Sequence, residues 1–326
     1  MVDALYPTLL DNHKFIRKEL TIVLEKYLGL KADRIDAKRT GNKIKDTFLK
    51  LCLNGFTGIA DSDVTWLYSP EHLLALRVYG QLIQLRVMEE LSEIGIQVIS
   101  NNTDGTTSIV PIDKLKDYHR INKDLEKEFD IIWEYAVIDK IAYKNVNNYH
   151  CIVSKKYMLD EQLNEVDVKE YRDVKRKGFF KHGNEVPLGD SVNEQVIAKA
   201  LDLYYSEGIS IDESIRNPEK YGFHIYDYCK SNKIAKVYKV YHDGKVVQNL
   251  NRYYFAKDGA FLLKLKTGKT NYEHVNVGEG VRLFNVFKEL PWEDYNINYN
   301  HYTKKARDII DSINEKKRQL SLFDGY

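Results

Sequence analysis

The chain has 326 residues, of which 43% are hydrophobic, so it is long enough for about two domains and can bury a sizeable core. This composition excludes wholesale disorder. The 49 basic and 48 acidic residues leave a formal charge of +1, an average that argues against a nucleic-acid partner.

The three cysteines, Cys52, Cys151 and Cys229, are widely spaced and contain no C-x-x-C pair. Their spacing disfavours a disulfide framework or a zinc knuckle and fits a reducing compartment. No apolar run approaches the roughly 20 residues of a membrane helix, and no export signal is visible. We therefore expect a soluble cytoplasmic protein with no membrane partner.

The first third of the chain is predicted to be mostly helical. Residues 2–10 have the pattern of a strand, and a helical pattern follows from Asn12 to Leu30. A second helix is expected over about 43–54, with Asn42 as its N-cap and Gly55 as its C-terminal stop. A long helix is predicted from Ser69-Pro70 to about Glu93. Its expected apolar stripe comprises Leu73, Leu76, Leu82, Leu85, Met88 and Leu91.

The rest of the chain mixes strand and helix patterns. Two strands, Ile96–Ser100 and Thr106–Val110, are predicted to form a hairpin across residues 101–105. The further expectations are short strands near 131–143 and 149–154, a helix at about 191–207, a β-rich stretch over 221–288 and a charged helix at about 301–318. The predicted fold class is α+β with antiparallel strands.

The charge is distributed unevenly. Residues 230–269 hold ten basic residues and two aspartates, and residues 169–182 hold six basic and two acidic residues. Such runs are ordinarily solvated surface. In the longer run, however, aromatic side chains are interleaved with the basic ones, a combination that suits a nucleic-acid backbone and its bases. These aromatic residues are Tyr238, Tyr241, Tyr253, Tyr254 and Phe255.

Three short blocks occur in a recognisable order. They are Leu5-Tyr6-Pro7-Thr8, the segment from Lys50 to Gly58 (KLCLNGFTG), and Asn102-Thr103-Asp104-Gly105. An Asp-Gly pair at a hairpin tip is by itself ordinary turn chemistry. Taken together, the blocks resemble motifs A, B and C of the family B DNA polymerases, in particular those of bacteriophages. The resemblance implies a right-hand polymerase fold and DNA-directed DNA synthesis in the cytoplasm of a bacterial host cell.

The third block carries the expected catalytic carboxylate, Asp104. Phosphoryl transfer onto a primer 3′-hydroxyl uses two divalent ions, and Mg²⁺ prefers carboxylate oxygen ligands. Asp104 is therefore the predicted catalytic residue and metal ligand for two Mg²⁺ ions. The block has Asn102 where the family has its first aspartate.

The second block carries the expected dNTP contacts. Lys50 and Asn54 match the family's motif B, and Tyr6 matches the residue beneath the deoxyribose; without the resemblance, Tyr6 is equally a core or turn tyrosine. Lys43 lies seven residues before Lys50 and shares its helix face. Arg39 would join that face if the helix began one turn earlier, and Asp46 would neutralise part of its charge. A solvated face with internal ion pairs is the alternative for Arg39 and Lys43.

Two later blocks resemble the segments with which the family holds the primer end. They are Asn147-Asn148-Tyr149 and Lys175-Arg176-Lys177-Gly178. The predicted contacts to primer-template DNA are Asn148, Tyr149, Lys177, Gly178 and Arg252. The resemblance also implies a division into palm (1–12 and 51–190), fingers (13–50), thumb (191–318) and a tail (319–326).

One departure concerns the first block. The motif A aspartate of the family falls at position 1, where the sequence has Met1. We therefore expect the polymerase part of a split or truncated enzyme, with an upstream exonuclease and palm polypeptide as a partner. The alternative is a catalytically inactive remnant that binds DNA and a sliding clamp; a palm like that of reverse transcriptases fits the blocks less well.

The C-terminus carries a second motif. Gln319, Leu320, Leu322 and Phe323 (QLSLF) match the pentapeptide with which bacterial replication proteins bind the sliding clamp. An apolar end that packs on the fold is the alternative. A clamp-bound tail would raise the local concentration of the enzyme on DNA and so its processivity.

Overall fold

The computed structural model describes residues 21–102, 105–186, 194–276 and 278–323. The chain divides into two compact units: Met1–Val137 with Val153–Arg172, and Ile138–Ile152 with Asp173–Tyr326. The structure is mixed α+β with antiparallel sheets, as predicted. The predicted strand over residues 2–10 and the start of the first predicted helix lie outside the described residues.

The first unit begins with two consecutive helices, α1 (Thr21–Arg39) and α2 (Lys43–Ile59). The side chain of Asn42 accepts a hydrogen bond from the backbone N–H of Lys45 at 3.0 Å, so the predicted N-cap is confirmed. The predicted stop at Gly55 is wrong, because α2 continues to Ile59. Helix α1 likewise extends beyond the predicted end at Leu30.

The buried face of α2 explains its extra turn. Leu49 and Leu53 are buried before Gly55, and Ala60 continues the same face after it. A glycine inside a helix costs about 1 kcal/mol relative to alanine, which the burial of that face offsets. The expected boundary between fingers (13–50) and palm (51–190) therefore lies inside a continuous helix.

Helix α3 (Pro70–Glu93) has the predicted bounds, but its buried face differs from the predicted stripe. Leu82 and Leu85 are 54% and 47% exposed, so their assignment to the buried stripe is wrong. The buried residues follow spacings of three, four and seven and comprise Leu73, Leu76, Ile83, Val87 and Leu91. Both sets satisfy a helical period, and only tertiary packing selects between them.

The predicted hairpin follows α3 as β1 (Gln97–Asn102) and β2 (Gly105–Ile109). After it comes helix α4 (Leu115–Phe129), which the sequence reading missed. The buried face of α4 is largely polar and comprises His119, Asn122, Leu125 and Glu126. Tyr118, Ile121 and Phe129 are partly buried against the same core as Leu125, so apolar residues recur at spacings of three and four and do predict a helix here.

A three-stranded sheet contributes residues to both units, with the strand order β3-β4-β5. Its strands are β3 (Tyr135–Asn145), β4 (Asn148–Leu159) and β5 (Glu165–Lys177). The strand predicted near 131–143 is confirmed from Tyr135 onward, and the strand predicted near 149–154 is confirmed as part of the longer β4.

The second unit combines helices with two further sheets. The helices are α5 (Gln195–Glu207), α6 (Ile211–Arg216), α7 (Ile225–Tyr228) and α8 (Tyr299–Phe323). One sheet has the order β12-β9-β6 and comprises Val281–Leu283, Leu250–Ala260 and Lys230–Lys233. The other has the order β11-β10-β7-β8 and comprises Tyr272–His274, Leu262–Lys266, Tyr238–His242 and Lys245–Val247. The predicted β-rich stretch is thus confirmed.

Buried tyrosines form much of the core of this unit. Tyr228 and Tyr302 are fully buried, and the Tyr302 hydroxyl donates to the Tyr228 carbonyl at 2.7 Å. Tyr253, Tyr254 and Phe255 are also buried, so the expectation that they face nucleic acid is wrong. A buried tyrosine is stable where its hydroxyl finds a partner, as Tyr302 does.

Among the described residues, no helix is both long and apolar enough to cross a membrane.

Candidate functional site

The β1–β2 hairpin holds the predicted catalytic position. Its register closes on the pair Asn102–Gly105, which leaves Thr103 and Asp104 as the two connecting residues. Both lie outside the described residues. For Asp104, the structure therefore gives only the two paired strands that flank it in the chain.

Side-chain contacts attach this hairpin to helix α3. The Thr106 hydroxyl donates to Oε1 of Gln84 at 2.8 Å, and Nδ2 of Asn101 donates to Sδ of Met88 at 3.1 Å. Gln84 is only 2% exposed, so its contact with Thr106 is shielded from competing water. The hairpin is consequently held on a long helix close to its connecting residues.

The described part of the hairpin does not by itself fit a pair of Mg²⁺ ions. Its residues next to the connection offer amide and hydroxyl oxygens, from Asn101, Asn102 and Thr106, and no carboxylate. Across the part of the chain that the structure describes, no group of three or more His, Cys, Asp or Glu side chains could hold a metal. Asp104 is the one carboxylate in the motif C block.

The nucleotide-binding candidates of α2 lie along one exposed stripe. Lys43, Lys50 and Asn54 are exposed and fall at spacings of seven and four residues, which places them on the same side of the helix. Neither lysine forms an ion pair with another described residue. Tyr6, the other predicted nucleotide contact, lies outside the described residues.

Two expectations about this stripe are wrong. Arg39 ends α1 and does not join α2, because Asn42 caps α2 at Lys43. Asp46 does not neutralise the lysines, because its Oδ1 accepts a hydrogen bond from Nε of Arg34 at 2.9 Å. Arg34 is 10% exposed, so this ion pair is largely removed from solvent.

Beside the lysine stripe lies an apolar stripe that the sequence reading missed. Ile44, Phe48 and Leu51 are 85%, 64% and 67% exposed and follow the same helical spacing. Exposed large apolar side chains on consecutive turns are a feature of binding surfaces. The sequence does contain a signal for this stripe, because Ile44, Phe48 and Leu51 recur at spacings of four and three residues next to Lys43 and Lys50.

The two blocks predicted to hold the primer end are in contact. Asn148 begins β4, and its Oδ1 accepts a hydrogen bond from the backbone N–H of Phe179 at 3.2 Å. Gly178 has φ +64°, and a Cβ atom at this position would overlap Oδ1 of Asn148. Nζ of Lys177 lies 5.8 Å from the ring centroid of Tyr149. The structure thus brings together four of the five predicted DNA contacts.

The fifth predicted DNA contact, Arg252, belongs to another sheet. It is exposed on β9, and its guanidinium carbon lies 5.2 Å from the ring centroid of Tyr226. Among the described residues, Arg252 makes no hydrogen bond or ring contact with Asn148 or Gly178.

A half-buried carboxylate, that of Asp202, holds in place the strand that carries Lys177. Oδ2 of Asp202 in α5 lies 2.9 Å from Nη2 of Arg176 and 3.0 Å from Nε2 of His182. Its Oδ1 lies 2.9 Å from Nε2 of His150. Because residues alternate along a strand, Lys175 and Lys177 lie on the opposite side of β5 from Arg176.

The charge state of Asp202 follows from these contacts. Burial alone would raise the pKa of its carboxyl, but hydrogen bonds from His150, His182 and Arg176 outweigh burial and hold this pKa well below its ordinary value. The carboxylate is therefore ionised at neutral pH. No local sequence pattern predicts this cluster, because Asp202 and His150 are 52 residues apart in the chain.

The clamp-binding candidates fall in the last helix. Helix α8 continues to Phe323, so the predicted helix end at 318 is corrected. Gln319, Leu320, Leu322 and Phe323 occupy its final turns, and their side chains lie outside what the structure describes.

No model of a known protein family matches the chain, and no curated protein matches it.

Proposed function

We propose that this chain is a DNA-directed DNA polymerase of the family B type, or the polymerase part of one, which adds dNTPs to a primer 3′ end. The observation that carries the proposal is the contact between Asn148 and Gly178. The sequence blocks around these two residues both resemble segments with which family B polymerases hold the primer end. Their contact supports a shared role.

The surface around this contact suits a DNA backbone. Lys175 and Lys177 lie on one side of β5, and the ring of Tyr149 is close to Lys177. Lysine side chains attract phosphates without reading sequence, and a tyrosine supplies a flat surface for a sugar or a base. Asp202 and Arg176 keep the strand in place from its other side. In a polymerase, such a surface holds the primer end whatever its sequence.

The α2 stripe suits a dNTP. Lys43 and Lys50 supply positive charge for a triphosphate, and Asn54 supplies a polar group for the same ligand. Since Asp46 is paired with Arg34, it does not compete for the lysines. A right-hand arrangement of palm, fingers and thumb belongs to this proposal.

The proposal includes Mg²⁺ in addition to primer-template DNA and dNTPs. Asp104 would supply one carboxylate ligand, and the described hairpin residues would supply only neutral oxygens. A pair of ions requires further carboxylates, which the described residues of the hairpin do not supply. We therefore assign no catalytic step to a metal.

Template-directed primer extension tests the proposal. The full chain is given a labelled primer on each of four templates, which differ in the next template base, together with one dNTP at a time and Mg²⁺. We expect addition of the complementary nucleotide only. DNA binding without extension in every combination would favour the alternative, an inactive DNA- and clamp-binding remnant.

A further inference from the structure

The four-stranded sheet β11-β10-β7-β8 has one buried and one exposed face. Val240 and Leu262 are fully buried on the inner face, with Val247 packed beside them. On the outer face, Phe261 and Tyr272 are 48% and 53% exposed. The strand register places Tyr241, Leu263 and His274 in one row across this outer face, and Lys239, Leu265 and Tyr272 in the next.

The outer face is rich in aromatic rings. The ring of Tyr241 lies edge-on to that of Tyr272 at 5.2 Å between centroids, and Phe261 lies edge-on to His274 at 5.0 Å. Since part of each ring surface stays open to solvent, further flat groups can stack on this face. Monomeric proteins rarely expose four neighbouring rings on a sheet without a partner.

The charges at one end of this sheet are all positive. Strand β10 ends at Lys266, and the turn after it carries Lys269; Thr267 in this turn donates through both its N–H and its hydroxyl to the Val237 carbonyl. This bond places the turn beside the segment that carries Lys236 and Lys239. None of the four lysines forms an ion pair with another described residue. The one carboxylate of the paired strands, Glu273, lies on the inner face and pairs with Lys264 at 3.0 Å.

We propose that this outer face binds single-stranded nucleic acid, with unpaired bases stacked on Tyr241, Tyr272, Phe261 and His274 and phosphates near the lysines at the sheet end. Unpaired bases expose the flat faces that such rings stack against, whereas bases in a duplex do not. The absence of a carboxylate from the outer face and the four unpaired lysines match a phosphate backbone. The surface goes beyond the proposed polymerase activity and does not depend on it.

The test measures binding of the full chain to a labelled dT 20-mer and to a duplex of equal length. Tyr272→Ala and Phe261→Ala should each weaken single-strand binding about tenfold and leave duplex binding unchanged. Tyr272→Phe should restore most of the affinity, because it keeps the ring. Phe287→Ala is the matched control, since Phe287 is 56% exposed outside this sheet. Thermal denaturation checks that each variant is folded.

The salt dependence gives a second readout. Lys239→Gln and Lys269→Gln should each reduce the slope of log affinity against log salt by about 0.7 on the single strand. Unchanged single-strand binding in the ring variants would overturn the proposal, as would an equal loss on the duplex. If Tyr272→Ala weakens single-strand binding but the chain does not extend primers, this surface is supported and only the proposed function is contradicted. If the chain extends primers but the ring variants bind dT as well as the unaltered chain does, the proposed polymerase activity is supported and the single-strand surface is refuted.

Discussion

The side chain of Asn148 occupies the space that a Cβ atom on residue 178 would need. Gly178 can adopt φ +64° without a steric cost, and the adjacent Phe179 N–H donates to Oδ1 of Asn148. A glycine and an asparagine thus depend on each other to join the end of β5 to the start of β4. This relationship makes the proposed primer surface sensitive to small changes.

Gly178→Ala should lower the free energy of unfolding by about 2–4 kcal/mol, through the left-handed backbone and the overlap with Asn148. It should also weaken DNA binding. Gly222→Ala is the matched control, because Gly222 has φ +65° with open space around it. In the control, the free energy of unfolding should fall only by the cost of placing alanine in a left-handed backbone conformation, about 1–2 kcal/mol. Equal losses in urea unfolding would show that the Asn148 contact contributes nothing.

Asp202→Asn should destabilise the protein by about 1.5–3 kcal/mol at neutral pH, because it removes one of the two carboxylates that pair with the partly buried Arg176; Oε1 of Glu185, 2.8 Å from Nη1 of Arg176, remains. The pKa of Asp202 is lowered in the folded state, so its contribution is fully present above the unfolded value of about 4 and is lost as the pH falls below it. Urea unfolding at about pH 7 and pH 3 measures this. The variant should lose less stability between the two pH values than the unaltered chain does.

The control for that substitution is Asp243→Asn, since Asp243 is exposed at the β7–β8 turn with φ 49°, a conformation that asparagine tolerates. It should change stability by less than about 0.5 kcal/mol. A similar effect of both variants would argue against a special role for the Asp202 cluster.

Lys50→Ala should raise the KM for dNTP about tenfold or more, because a charge-assisted contact to a phosphate contributes about 1.5–3 kcal/mol. Lys45→Ala is the control from the same helix. Lys45 lies on another side of α2 from the lysine stripe, and its Nζ is 3.5 Å from Oδ1 of Asp33. Steady-state extension at several dNTP concentrations distinguishes the two. Equal KM values for both variants would exclude α2 as the triphosphate surface.

Leu320→Ala combined with Phe323→Ala should abolish binding to a bacterial sliding clamp, and so should deletion of residues 319–326. Distributive synthesis without the clamp should stay unchanged, because these residues lie outside the proposed catalytic surface. Val286→Ala, at a position that is 80% exposed, controls for the loss of an apolar side chain. Clamp affinity that survives both changes, measured by surface plasmon resonance, would refute the clamp motif.

The features predicted correctly from the sequence have local causes. The Asn42 cap and the start of α3 at Ser69-Pro70 depend on residues within one helical turn. The β1–β2 hairpin likewise follows from an Asp-Gly pair between two alternating segments. The α+β class followed from the same patterns.

The features missed have distant causes. Helix α2 passes Gly55 because its buried face continues to Ala60, and the burial of Tyr253 depends on strands far along the chain. The Asp202 cluster joins side chains from β4, β5 and α5, which no local spacing reveals. The pairing of Asn148 with Gly178 was suggested only by resemblance, since neither block alone specifies its partner.

The most direct test of the proposed polymerase activity compares Asp104→Asn with Asp243→Asn in template-directed primer extension. Each aspartate is one of the two residues that connect a hairpin and is followed by a glycine in the sequence, and asparagine suits such turns as well as aspartate does. The comparison therefore isolates the loss of the Asp104 carboxylate. We predict that Asp104→Asn lowers the extension rate at least about 10³-fold with DNA binding retained, while Asp243→Asn has no effect. Extension that is unaffected by Asp104→Asn would contradict the assignment of this hairpin as the catalytic centre.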